Sequence, residues 1–259
     1  MDLQLNNRLA LVSGSTAGIG YAIAAALLRE GARVIVNGRS QAAVDAAVAS
    51  LGVGATGFAG DLATAQAAES VAHAHPDIDI LVNNLGIFEP KAFEDIPDED
   101  WLRFFEVNVL SGARLARLVL PGMKRRNWGR ILFISSESGV QIPAEMVHYG
   151  MTKSAQIAIA RGIAESVAGS GITVNSVLPG PTRSRGVEDF VQALAGDSGQ
   201  SFDEFEKAFF EKVRPTSLIK RFATTEEVAA MVTYLCSPLA SATTGAALRV
   251  DGGTVKSAF

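Results

Sequence analysis

Short apolar runs alternating with longer segments of helical period predict an α/β protein: one domain, 1–259, built as a doubly wound, seven-stranded parallel sheet with helices on both faces. Two further observations support that class. The predicted strands are almost continuously apolar, as strands must be when helices cover both faces of a sheet. A glycine-rich turn also runs directly from the first strand into a helix, the connection expected of a βαβ unit. With 259 residues, 48 % of them hydrophobic, the chain is long enough for one large core, and no linker-like composition divides it.

Taken in order, the strand candidates are 8–12, 33–37, 55–59, 78–82, 130–135, 172–178 and 247–250. Between them, helical period is carried by 19–30, 41–51, 64–74, 98–124, 147–168 and 226–236. The helix at 98–124 is unusually long. The region 183–214 lies between the sixth strand and the last helix and has no strand pattern of its own. Within it Phe202, Phe205 and Phe209 recur at helical spacing, with Asp203, Glu204 and Glu206 between them. It reads either as a surface helix packing on its own domain or as a substrate lid, because insertions at the carboxyl end of a strand often serve that purpose.

The first strand leads into Ser13-Gly14-Ser15-Thr16-Ala17-Gly18-Ile19-Gly20. Glycines in such a turn allow a close backbone approach to pyrophosphate, and the N–H groups and positive dipole of the following helix favour the anion. The spacing is Gly-x-x-x-Gly-x-Gly rather than Gly-x-Gly-x-x-Gly. A plain strand-to-helix connection is the bland reading, but the position after strand one of a βαβ unit favours a nucleotide. After the second strand, where an acidic residue would meet the ribose 2′-hydroxyl of NAD, the chain offers Asn37-Gly38-Arg39-Ser40. With no carboxylate and with Arg39 present, the site suits the 2′-phosphate, so NADP(H) is expected in preference to NAD(H). Asp61 is placed to accept from an adenine amino group, with Leu62 beside it. The fourth strand ends in Asn83-Asn84-Leu85-Gly86, at the sheet edge where a cofactor cleft would lie.

The chemistry is expected in the stretch 134–154, which holds Ser136, Tyr149 and Lys153. Residues four apart share a helix face, so the Lys153 ammonium can lie near the Tyr149 phenol. A phenol with an ordinary pKa of about 10 serves as an acid or base near neutrality only if a cation favours its phenolate. Ser136 adds a hydroxyl from the end of the preceding strand. Taken alone, Tyr-x-x-x-Lys is a pattern that chance produces often.

In order and spacing, the motifs resemble those of the short-chain dehydrogenase/reductase family over essentially the whole chain. The matching residues are Gly14-x-x-x-Gly18-Ile19-Gly20, Asp61, Asn83-Asn84-x-Gly86, Asn108, Ser136, Tyr149-x-x-x-Lys153, Pro179-Gly180 and Arg249-Val250-Asp251-Gly252-Gly253. The resemblance implies a single Rossmann-like catalytic domain and a hydride transfer between a nicotinamide and a carbonyl/secondary alcohol pair. It gives Tyr149 as proton donor or acceptor, and Ser136 as the hydrogen-bonding partner of the substrate oxygen. Lys153 lowers the phenol pKa and holds the nicotinamide ribose, while Asn108 fixes a water linking Lys153 to solvent. The cofactor set it implies is Gly14, Ser15, Thr16, Gly18, Ile19, Gly20, Arg39, Asp61, Leu62, Asn84, Gly86, Tyr149, Lys153, Pro179, Gly180, Thr182 and Ser184. It also implies a homotetramer built through the long helix, the Tyr149 helix and the C-terminal strand.

Two departures stand out. Leu85 replaces a small residue in the fourth-strand motif, and Asn127 and Ser170 stand where reductases of carrier-bound acyl groups tend to carry basic residues, although Arg125 and Arg126 are close by. The rival readings are therefore a 3-oxoacyl-[acyl-carrier-protein] or acyl-thioester reductase and, from another class, a non-catalytic nucleotide-sensing module. Retention of all four of Asn108, Ser136, Tyr149 and Lys153 speaks against the last. His148 points about 100° away from Tyr149 on a helix and is expected to pack. His73 and His75 read as surface residues, and no metal site is expected. Glu137 and Glu145 read as solvated loop positions, with contact to a polar or cationic substrate group as the sharper alternative. Cys236, the only cysteine, reads as a buried packing residue. A formal charge of -4 with scattered basic residues argues against nucleic acid as a partner and for a small-molecule substrate. The N-terminal residues carry no cationic, long apolar leader, and no run reaches the length of a membrane span, so a cytoplasmic protein is expected.

Overall fold

The computed structural model describes residues 2–184 and 201–258. Strands β1 (Leu9–Val12), β2 (Arg33–Gly38), β3 (Ala55–Ala59), β4 (Ile80–Asn83), β5 (Gly129–Ile134), β6 (Ile172–Pro179) and β9 (Ala247–Val250) form one sheet in the order β3-β2-β1-β4-β5-β6-β9. Every pairing in it is parallel. The seven expected strands are all present, each within two residues of its predicted ends.

The apolar runs fill both faces because successive side chains of a strand point to opposite sides. Ala10 and Val12 of β1, with Val34, Val36, Ile80, Val82, Leu132 and Ile134, pack under helices α1 (Gly18–Arg29) and α8 (Thr225–Cys236). Leu9 and Leu11, with Ile35, Leu81, Ile131 and Phe133, pack under α3 (Ala65–Ala74), α5 (Ser111–Arg126) and α6 (Val147–Ser166). Helix α2 (Gln41–Leu51) covers the β2–β3 edge with Val44 and Ala47. Cys236 is fully buried in the first of these cores, and burial pushes its thiol up to about 12. Among the described residues no helix is long and apolar enough to cross a membrane.

The strand order reverses between β1 and β4. In an open parallel sheet a ligand crevice lies outside the carboxyl ends of the strands at such a reversal. The exits of β1, β4, β5 and β6 all open on that edge.

The long helix expected at 98–124 departs from the prediction in one respect. It consists of α4 (Asp98–Phe105), a π-helical turn (Glu106–Leu110) and α5. The π turn inserts an extra residue into the helical ladder, which a search for 3.6-residue period passes over. Asn108 sits inside it.

The region after β6 also differs from expectation, because Thr182–Arg183 is a short strand, β7, paired with β8 (Ala223–Thr224). Helix α7 (Phe202–Lys212) gathers Phe202, Phe205, Phe209 and Phe210 around Phe222, with ring centroids 5.0–6.5 Å from it. Its aromatic face therefore packs on its own domain. Of the lid predicted at 183–214, residues 185–200 lie outside the described residues.

Candidate active site

The nucleotide turn is built by hydrogen bonds that join three strand ends. Asn37 accepts from Gly14 N at 3.1 Å and donates to the carbonyls of Phe58 and Gly60. Asn84 Nδ2 donates to Ser13 O and Gly14 O at 3.1 and 3.0 Å, and Ser13 Oγ accepts from the N–H groups of Asn84 and Leu85. Gly14 and Gly18 adopt φ +60° and +58°, which a side chain would strain. At Gly20 a Cβ would lie 2.4 Å from Gly14 O and 2.5 Å from Asn84 Nδ2. The turn has no room for larger residues.

A cleft of about 210 Å³ opens over this turn, lined by Gly14, Thr16, Gly38, Arg39, Asp61, Leu62 and Leu85 among others. Its chemistry fits a dinucleotide. The cleft pairs a helix N-terminus and a tight glycine backbone, which favour an anion, with the exposed Arg39 guanidinium at its rim. Asp61 uses one carboxylate oxygen on Ala63 N and lines the same cleft. One residue of the predicted set does not fit: Ser15 is fully buried, its hydroxyl bonds Val12 O and Asn37 N, and its own N–H donates to Asn37 O. It is a strut of the turn, because sequence spacing does not tell a hydroxyl that faces the cleft from one that faces the sheet.

On the other side of the cleft, Gly180 N bonds Val250 O and Thr182 Oγ1 bonds Gly180 O at 2.9 Å. This turns the chain after Pro179 back toward the nucleotide loop, bringing Ser184 Cβ within 3.6 Å of where a Cβ on Gly18 would sit.

The three residues of the 134–154 stretch meet at the carboxyl end of β5. Ser136 follows that strand and is nearly buried, while Tyr149 and Lys153 come from the first two turns of α6. Lys153 is 4 % exposed; its Nζ donates to Ile134 O at 2.9 Å and to Gln156 Oε1 at 3.3 Å, and lies 5.5 Å from the Tyr149 ring centroid. Burial lowers Lys153 to about 8. Burial likewise raises the Tyr149 phenol well above its ordinary value, opposed by its hydrogen bond with Ser136. In this structure the Lys153 ammonium donates to Ile134 O and Gln156 Oε1, with the Tyr149 ring beside it. Asn108 is fully buried: its carboxamide bonds Ile87 N, Ile87 O and Thr152 Oγ1, fastening the exit of β4 to the residue before Lys153. Gly86 lies close by, where a Cβ would be 3.5 Å from both Asn108 Oδ1 and Lys153 Nζ.

Residues 14–255 match the family model described as enoyl-(acyl carrier protein) reductase. The chain is 50 % identical over 262 residues to an uncharacterized oxidoreductase of Bacillus subtilis (strain 168), YvrD, a match covering 99 % of this chain and all of that protein. Its structure resembles that of L-sorbose reductase from Gluconobacter frateurii, solved with NADPH and L-sorbose, with TM-score 0.94, 31 % identity and coverage of 99 % and 100 %. It also resembles a solved short chain dehydrogenase/reductase family protein, with TM-score 0.85, 33 % identity and 98 % of each chain covered. The chain belongs to the short-chain dehydrogenase/reductase family. It is an oxidoreductase of that family.

In this short-chain dehydrogenase/reductase three further residues stand at the site that sequence reading missed or misplaced. Glu137 is 5 % exposed, not solvated. It accepts the Ser136 hydroxyl at 2.5 Å and pairs with Arg214 Nε at 3.3 Å, while Arg214 Nη1 reaches Glu145 at 3.1 Å. Arg214, just beyond α7, thus ties together both carboxylates of the loop between β5 and α6. Gln156 is 1 % exposed and bridges Lys153 to Asn108 O. Arg214 carries no local signal, since its carboxylate partners are 77 and 69 residues away; Gln156 is three residues from Lys153, but its other partner, Asn108 O, is 48 residues away. His148 packs as expected, fully buried with its ring centroid 4.0 Å from Phe104, and burial lowers its pKa.

Proposed function

We propose that this protein is an NADP(H)-dependent reductase or dehydrogenase of a small, neutral, hydroxyl-bearing carbonyl compound and its alcohol. The observation that carries the reading is the convergence of Ser136, Tyr149 and Lys153 at the end of β5, beside a dinucleotide cleft rimmed by Arg39. The nicotinamide, when bound, supplies or takes the hydride. Tyr149 gives the carbonyl oxygen its proton in reduction and removes it in oxidation. Lys153 has two of its three N–H donors fixed on protein oxygens, leaving one to turn toward the cleft and favour the phenolate. Gly86, Thr182 and Ser184 border the nicotinamide end of the cleft. Asn108 holds the β4 exit against α6, so the acid and its cation keep one spacing.

The substrate class rests on Glu137. Ser136 has one hydroxyl hydrogen and it faces a buried carboxylate, so a substrate bearing its own hydroxyl donors satisfies Glu137 and frees the serine for the carbonyl oxygen. Glu137, Arg214 and Glu145 together carry one net negative charge, which disfavours acidic substrates. The L-sorbose bound by the Gluconobacter frateurii enzyme is such a neutral polyhydroxy ketone. The acyl-thioester reading has less support: Asn127 caps α5 and accepts from Gly171 N, and no cation stands at Asn127 or Ser170.

The test is NADPH oxidation against a panel of ketoses, hydroxyketones, keto acids and acyl thioesters, with Tyr149→Phe as control. We expect turnover on the hydroxylated neutral members, loss of at least about a hundredfold in the variant, and NADPH binding retained. Near-normal turnover by Tyr149→Phe would show that the acid lies elsewhere.

A further inference from the structure

Gln156 is the buried polar side chain at the site for which the reading above supplies no task. It follows Lys153 by three residues and Tyr149 by seven, so all three lie along one stripe of α6. A carboxamide with both ends buried is costly unless each end is hydrogen-bonded. Both ends are: Oε1 accepts from Lys153 Nζ at 3.3 Å, and Nε2 donates to Asn108 O at 2.5 Å. The second partner is a backbone carbonyl within the π turn, where the helical ladder is already irregular.

We propose that Gln156 is a positioning residue for the proposed acid/base pair: anchored on Asn108 O, its amide oxygen holds the Lys153 ammonium against Ile134 O so that the remaining N–H is aimed at the cleft. The inference rests on the reading of Tyr149 and Lys153 given above. An amide oxygen on the ammonium favours its charged form and opposes the burial that lowers Lys153. Without Gln156 the ammonium keeps one fixed acceptor and Asn108 O loses a donor. The ammonium then has one acceptor fewer to fix it, and its remaining N–H groups are no longer held toward Tyr149. The effect appears in the Tyr149 titration more than in the fold.

Gln156→Met keeps the length of the side chain and removes both hydrogen-bonding ends. The phenolate of Tyr149 is followed by ultraviolet difference titration of the NADP⁺-loaded protein, with Tyr149→Phe as the blank, and NADPH affinity is followed by fluorescence. We expect the Tyr149 midpoint to rise by about one unit, tenfold in the phenolate equilibrium, and NADPH to bind several-fold more weakly. Should that variant not fold, Gln156→Leu, which likewise removes both hydrogen-bonding ends without adding a charge, gives the same reading. An unchanged midpoint in whichever variant folds overturns the proposal. Loss of turnover in Tyr149→Phe together with an unchanged Gln156 midpoint defeats this inference alone, whereas turnover retained in Tyr149→Phe defeats the underlying reading.

Discussion

Arg39 carries the proposed cofactor preference alone, because no carboxylate stands at the end of β2 and the backbone of the nucleotide turn is indifferent to a 2′-phosphate. Hydrogen bonds to charged groups contribute about 1.5–3 kcal/mol, so Arg39→Ala should weaken NADPH binding by about tenfold to a hundredfold and leave NADH nearly unchanged. Fluorescence titration with each cofactor checks this, and equal losses for both would refute it. At this scale the sequence revealed the residues that work through local spacing. Tyr149 and Lys153 share a helix face, and Ser136 and Gly14 sit at strand exits that the apolar runs mark. Glu137, Arg214 and Gln156 were hidden because their roles depend on partners 77 and 48 residues away. A glutamate beside a serine at a strand end reads as solvated until the arginine that covers it is in place. Ser15 shows the converse, since a correct motif contained a residue whose hydroxyl turns inward.

Elements were legible where burial dictates composition. Strands covered on both faces must be apolar throughout, so β1, β4, β5 and β6 stood out, and even the edge strand β9 was found. Irregular pieces were not. The π turn keeps the overall apolar stripe of the long helix, and β7 and β8 are too short to show alternation. Helix α8 illustrates a start signal that the sequence does carry. Thr224 Oγ1 accepts from Glu227 N at 3.1 Å, Thr224 N donates to Glu227 Oε2 at 2.8 Å, and Arg221 pairs with the same carboxylate. This capping box anchors a helix whose Val228, Val232 and Leu235 are fully buried. Thr224→Ala should therefore destabilise the protein by about 1 kcal/mol, read as a lower urea midpoint with an unchanged slope.

For the whole molecule, we propose that four copies associate through the long helix, the Tyr149 helix and the C-terminal strand, with the α4–α5 face as one of the interfaces. That face leaves Leu102 at 70 % and Phe105 at 43 % exposure, apolar area that a lone chain would present to water. Light scattering should give four times the chain mass of 27.2 kDa, and Leu102→Glu with Phe105→Glu should give smaller species that still bind NADPH. A wild-type monomer would refute the proposal.

The placement of β1 between β2 and β4 has a consequence for how the chain comes into being. Ser13 N bonds Val82 O across the crevice, a contact between residues 69 apart, and the nucleotide turn is fastened by Asn84 from the same strand end. A chain still emerging from the ribosome therefore offers no nucleotide site until β4 has appeared and closed that loop. Such long closures slow folding. A nucleotide thus finds its turn only after β4 has paired with β1, and by mass action it stabilises the folded protein without guiding the earlier steps.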